Sequence, residues 1–169
     1  LAINKQEFVE TVLEGAAEVQ TRWVVTPGSL GYDPSWKSDP YDPARAKELL
    51  NQAGFPSGFT FSIYSTDHPA APWVPRMVEA AAGYWSALGI KTEIIPTDTG
   101  TLSTLFRRWP HQEMIGRAFG FFGAVSPTNL NILRAWYYSK GTIRLLQSAE
   151  WDAMFDKANS TLDANERVT

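Results

Sequence analysis

The chain contains no cysteine, which excludes disulfide scaffolds, cysteine-ligated metal sites and thiol catalysis, and fits an oxidising compartment. Only two histidines occur, His68 and His111, and neither is joined by a carboxylate or second histidine at ligand spacing, so no metal site is expected. No serine stands in a Gly-x-Ser-x-Gly elbow, and the acids fall on helix faces and caps rather than as a pair across a cleft. Triad and glycosidase chemistry therefore have nothing to work with, and neither an enzyme nor a resident cofactor is expected. Charge is sparse as well: charged residues make up 20%, 15 basic side chains face 18 acidic ones, and the longest basic run is the pair Arg107 and Arg108. An electrostatic footprint for nucleic acid is missing. No apolar run approaches the roughly 20 residues that span a bilayer.

What is present is a rich apolar and aromatic content, 44% and 13% of 169 residues. A chain of this size hides roughly 70% of its unfolded surface, enough for one globular domain. Both ends read as cut. Position 1 is Leu and runs almost at once into a helix start, with no secretory leader, while Asp163 and Glu166 have the spacing of a helix cap three residues from the end. An excerpt of a longer polypeptide is expected.

Asn4 with Glu7, flanked by Ile3 and Phe8, signals a capped helix over residues 5–14 closed by Gly15. Residues 16–41 lose periodicity and are broken by Pro27, Gly28, Gly31, Pro34 and Pro40, which predicts a long irregular connection. Asp42 and Pro43 open a second helix with Ala46, Leu49, Leu50 and Ala53 on one stripe, ended by Gly54. Phe59, Phe61 and Ile63 alternate with polar residues as a half-buried strand. Met77, Ala81, Tyr84, Trp85 and Leu88 follow helical spacing, and residues 92–95 form another strand, completing a βαβ unit. A helix over 102–109, a strand over 114–119, a helix from Ser126 and Pro127 to about Tyr138, and a last helix carrying Trp151, Met154, Phe155, Ala158 and Leu162 complete the reading. The class expected is α/β with a mixed sheet.

Two loops leave the carboxyl ends of these strands, residues 65–69 and 120–125, and ligands of open α/β sheets bind at that edge. The second loop, Gly120-Phe121-Phe122-Gly123-Ala124-Val125 before Ser126, is apolar yet broken by glycine and feeds a helix N-terminus, which suits close approach of a guest. Phe119, Phe121 and Val125 are equally readable as core strand residues. Arg117 on the preceding strand can face an anion or pair with a structural carboxylate. His68 lies in the first loop, and Trp109 stands beside a proline where an aromatic either plugs the core edge or stacks on a ligand. Trp85 and Trp151 fit amphipathic stripes and read as core.

The ordered series Pro27-Gly28-Ser29, Gly31-Tyr32-Asp33-Pro34, Tyr41-Asp42-Pro43-Ala44-Arg45-Ala46-Lys47-Glu48-Leu49-Leu50 and Ala53-Gly54-Phe55-Pro56-Ser57-Gly58-Phe59 resembles the extracytoplasmic solute-binding proteins of the peptide and nickel class that serve ABC importers. The resemblance implies most of the C-terminal lobe of a two-lobed clamshell, residues 1–169 as one partial lobe, located in the periplasm or on the cell-envelope exterior. It also implies a small-molecule solute, peptide or sugar-like, and a membrane permease as partners. Peptide-binding members carry a stretch like Trp-x-Ala-Asp-Tyr-x-x-Pro whose aspartate pairs with the ligand's α-amino group. Anchored on Pro127, that stretch places Gly123 at the aspartate and Gly120 at the tryptophan, so both signature side chains are absent. A buried ammonium without a carboxylate partner is costly, which favours a neutral or anionic guest such as an oligosaccharide, an opine or a blocked peptide. The ligand-binding set expected is Arg117, Phe121, Phe122, Gly123, Ala124, Val125, Ser126, His68 and Trp109. A ligand-sensing domain of a transcriptional regulator is the alternative, and a hydrolase built on the same lobe is a third reading.

Overall fold

A computed structural model describes residues 1–21, 25–119 and 130–163. The chain divides into two compact units, one of residues 1–19, 38–105 and 111–122, the other of residues 20–37, 106–110 and 123–169.

The first unit opens with α1 (Lys5–Val12), where Asn4 accepts from the Glu7 amide at 3.2 Å and its own amide donates back to the Glu7 carboxylate at 3.1 Å. The Asn4 cap is the one its sequence promises, with the return bond made by the Asn4 side-chain amide rather than by its backbone N–H. Among the described residues 13–42 there is no helix or strand. Asp42 caps α2 (Pro43–Gln52) through the Arg45 amide at 2.8 Å, with Pro43 in the first turn. The helix ends in a Schellman turn: Gly54 and Phe55 donate to the carbonyls of Asn51 and Leu50, with Gly54 at φ +87°. Its expected apolar stripe is not buried, Leu49 being 40% exposed, because no other described helix or strand packs closely on α2.

Strand β1 (Thr60–Asp67) is central, pairing in parallel with β2 (Lys91–Asp98) on one side and β3 (Arg117–Phe119) on the other. The described sheet is thus wholly parallel rather than mixed. The half-buried alternation read at 59–64 gives way to four consecutive buried residues, Ile63 to Thr66, in this central strand. Helix α3 (Val74–Ser86) covers one face, setting Val74 and Val78 against Ile63 beside Ala71 of the preceding turn, with Phe61, Trp85 and Ala118 packed around them. Each such aliphatic side chain contributes about 1.5–3 kcal/mol by leaving water. An aromatic series from Phe55 through Phe59 and Phe61 to Trp85, with centroid spacings of 5.2, 6.0 and 5.3 Å, ties the end of α2 to this core. Helix α1 is held on α3 by Phe8 stacked on Tyr84 at 6.5 Å, and by the Tyr84 hydroxyl donating to Glu7 at 2.8 Å.

Asp98 ends β2 and caps α4 (Thr99–Arg107), accepting from the Thr101 amide at 2.9 Å and hydroxyl at 2.6 Å. These two bonds hold its carboxyl below the ordinary value. The strand expected over 114–119 is shorter: a 3-10 turn occupies Gln112–Met114, Gly116 takes φ +73°, and only Arg117–Phe119 joins the sheet.

In the second unit, α5 (Leu130–Tyr137) packs on α6 (Ala149–Ser160) through Tyr137 on Trp151 and Tyr138 on Phe155. Ser148 caps α6. Phe155 is buried, but Trp151 is 44% and Met154 58% exposed, so the expected core face of α6 is half covered: α5 meets only its Trp151–Phe155 edge. The start of α5 read at Ser126 and Pro127, and the cap partner Glu166, lie outside the described residues.

The carboxyl edge of a parallel sheet as a candidate solute site

The chain runs from β1 through α3 to β2 on one flank, then crosses through α4 to β3 on the other. Strand β1 thus has a parallel neighbour on either side, each reached through a helical crossover, the arrangement that gives open parallel sheets a topological switch point for ligands. The register Tyr64↔Phe119 sets the last described residue of β3 beside the middle of β1. Phe121, Phe122, Gly123, Ala124, Val125 and Ser126 themselves lie outside the described residues.

His68 stands just past β1, where its Nδ1 accepts from the Ala70 amide at 3.0 Å and its carbonyl from the Ala71 amide at 2.8 Å. Arg117 shares a rung with Ser62 and Glu93 on the sheet face opposite α3. Its guanidinium donates to the Tyr64 hydroxyl and lies 5.4 Å from the centroid of that ring. Of the two roles open to Arg117 in the sequence, pairing with a structural carboxylate is not seen: among the described residues no acid lies within ion-pair distance of it. Glu93, on the same rung, instead accepts from the Ser62 hydroxyl at 3.1 Å. Arg117 is exposed while Tyr64 is 6% exposed, so a solvent-facing cation rests on a buried phenol.

Trp109 belongs to the second unit. It is 42% exposed, and the Arg144 guanidinium lies 5.6 Å from its ring centroid, occupying part of the surface a ligand would stack on. The structure thus sets His68 and Arg117 on one sheet and describes Trp109 separately. Tyr64 is the residue that sequence reading missed. Its outward place in the alternation was visible, but the neighbour that makes it matter arrives from 53 residues away and depends on register. Among the described residues no group of three His, Asp or Glu side chains is placed to hold a metal, and no helix is long and apolar enough to cross a membrane.

Residues 1–142 match the family model of bacterial extracellular solute-binding proteins, family 5, middle region. A curated relative, di/tripeptide-binding protein 1 of Pseudomonas aeruginosa, is 30% identical over 117 residues, 68% of this chain and 22% of that protein. The glutathione-binding protein GsiB of Salmonella choleraesuis is 37% identical over 100 residues, 59% of this chain and 19% of its own length. Among solved structures, HbpA2 of Haemophilus parasuis superimposes with a TM-score of 0.80 at 24% identity, over 99% of this chain and 33% of that one, a likeness of fold. The chain spans about a fifth of the two curated relatives, and their names describe binding rather than catalysis. On the extent of the family match, the chain belongs to the bacterial extracellular solute-binding proteins of family 5.

Proposed function

We propose that the chain is part of one lobe of a protein that captures a small peptide or peptide-like anion between two lobes outside the cytoplasmic membrane and delivers it to the permease of an ABC importer. The lobe performs no reaction; it closes on the solute by hinge motion, and the closed form is what the permease recognises. The observation that carries the reading is Arg117, an exposed guanidinium paired with a phenol instead of an acid, on the parallel sheet of the first unit. A ligand carboxylate completes it with charge-assisted hydrogen bonds.

Peptides and glutathione, named for the curated relatives, are carboxylate-bearing, and this favours a peptide-class guest over an oligosaccharide. Gly123, standing where peptide-binding members have the aspartate, supports a guest whose amine is blocked or lies elsewhere. The two curated relatives are named for binding a peptide or glutathione and neither for regulating transcription, which supports a solute-binding role over the regulator. Mass spectrometry of small molecules released from the full-length parent on denaturation tests the reading. A carboxylate-bearing peptide-like molecule at near one per protein is expected, and a neutral sugar in its place would contradict it.

A further inference from the structure

A guanidinium on an exposed strand position samples many rotamers, and an anion that binds it must first halt that motion. Arg117 is held by two contacts with a single side chain, a hydrogen bond to the Tyr64 oxygen and the approach to its ring at 5.4 Å. Tyr64 is itself immobilised, being buried in the central strand. The chemistry of this partner matters. A carboxylate in its place would hold Arg117 equally well but would cancel its charge, whereas a neutral phenol orients the guanidinium and leaves its charge available. The acid that shares the rung, Glu93, is one strand further away and accepts from Ser62.

We infer that Tyr64 is a positioning residue: it presents the Arg117 guanidinium, oriented and uncompensated, to the carboxylate of the solute. The inference rests on the proposed role of Arg117 as the ligand's anion partner. It sets specificity as well as affinity, because an amide in place of that carboxylate gains nothing from an oriented cation.

The test uses the full-length parent, titrated calorimetrically with N-acetyl-Ala-Phe and with the same compound amidated at its C-terminus. Tyr64→Phe keeps the ring and loses the oxygen; Tyr64→Leu loses both; Arg117→Gln removes the cation. The wild type should prefer the acid at least tenfold, Arg117→Gln should abolish that preference, Tyr64→Phe should lower it three- to tenfold, and Tyr64→Leu should lower it further. Amide binding should stay within twofold throughout. Slow guanidinium rotation of Arg117 in nitrogen-15 NMR of the unliganded protein should become fast in Tyr64→Phe, a readout that needs no ligand. If Arg117→Gln leaves the acid preference intact, or the wild type binds neither compound, the anion-partner reading itself falls. If Arg117→Gln abolishes the preference while Tyr64→Phe changes neither it nor the rotation rate, positioning by Tyr64 alone is overturned. A Tyr64→Phe protein that weakens acid and amide equally also overturns it, by showing a structural role.

Discussion

Gly58 and Gly89 bring the turn before β1 and the turn before β2 into backbone contact: a Cβ added to Gly58 would overlap the Gly89 carbonyl and lie 2.9 Å from the Ile90 amide nitrogen. Both residues have positive φ, +75° and +85°. The two turns start the paired strands in register, Lys91 donating to the Phe59 carbonyl at 2.8 Å just beyond the contact. Gly58→Ala is therefore expected to cost about 2–4 kcal/mol, from backbone overlap added to left-handed strain. Gly54→Ala, at φ +87° with nothing within 4 Å of the added carbon, should cost only about 1 kcal/mol. Urea denaturation of the two variants checks the difference.

The link between α1 and α3 should titrate in alkali. Burial first, then the hydrogen bond to the Glu7 carboxylate, pushes the Tyr84 phenol from 10.0 up to about 12. Between these values the unfolded chain gives up a proton that the folded one keeps, so stability falls as pH rises. The contribution is fully present below pH 10 and is lost as pH climbs through about 12. Thermal midpoints measured from pH 9 to 11.5 should decline, and Tyr84→Phe should flatten that decline while lowering the midpoint at pH 8.

Gly141 plays a similar part in the second unit. Its added Cβ would overlap the Arg134 carbonyl and approach those of Ala135 and Tyr138 at 2.8 and 2.9 Å, at the end of α5 where the chain turns back toward α6. Gly141→Ala should cost about 2–3 kcal/mol, because the neighbours are backbone and cannot swing away. Loss of amide protection confined to α5 and α6 in hydrogen exchange is the expected signature.

Much of this framework was legible in the sequence for local reasons. The caps at Asn4 and Asp42, the glycine stop at Gly54 and the βαβ unit all rest on short-range rules. What escaped depends on neighbours distant in the chain. Ser65 and Thr66 are buried in the central strand β1, and the exposure of Leu49 and Trp151 follows from what α2 and α6 are packed against. At the site, Arg117 was visible as a cation on a strand. Its phenol partner became apparent only once β3 was known to lie beside β1 in the register Tyr64↔Phe119.

Gly123 is the second determinant of the proposed specificity, because the resemblance sets it where peptide-binding members are expected to carry an aspartate. Gly123→Asp in the full-length parent should weaken binding of the co-purifying ligand at least tenfold and shift the thermal midpoint by less than about 3 °C, which corresponds to less than 1 kcal/mol. Loss of ligand and of stability in proportion would remove Gly123 from the site.

The most direct test is a calorimetric comparison of Ala-Phe and N-acetyl-Ala-Phe on the full-length wild-type parent. On the proposed roles of Arg117 for the carboxylate and of Gly123 in place of an acid for the amine, the acetylated compound should bind at least as tightly as the unmodified one. Tight binding of Ala-Phe with none of its acetylated form would contradict the account.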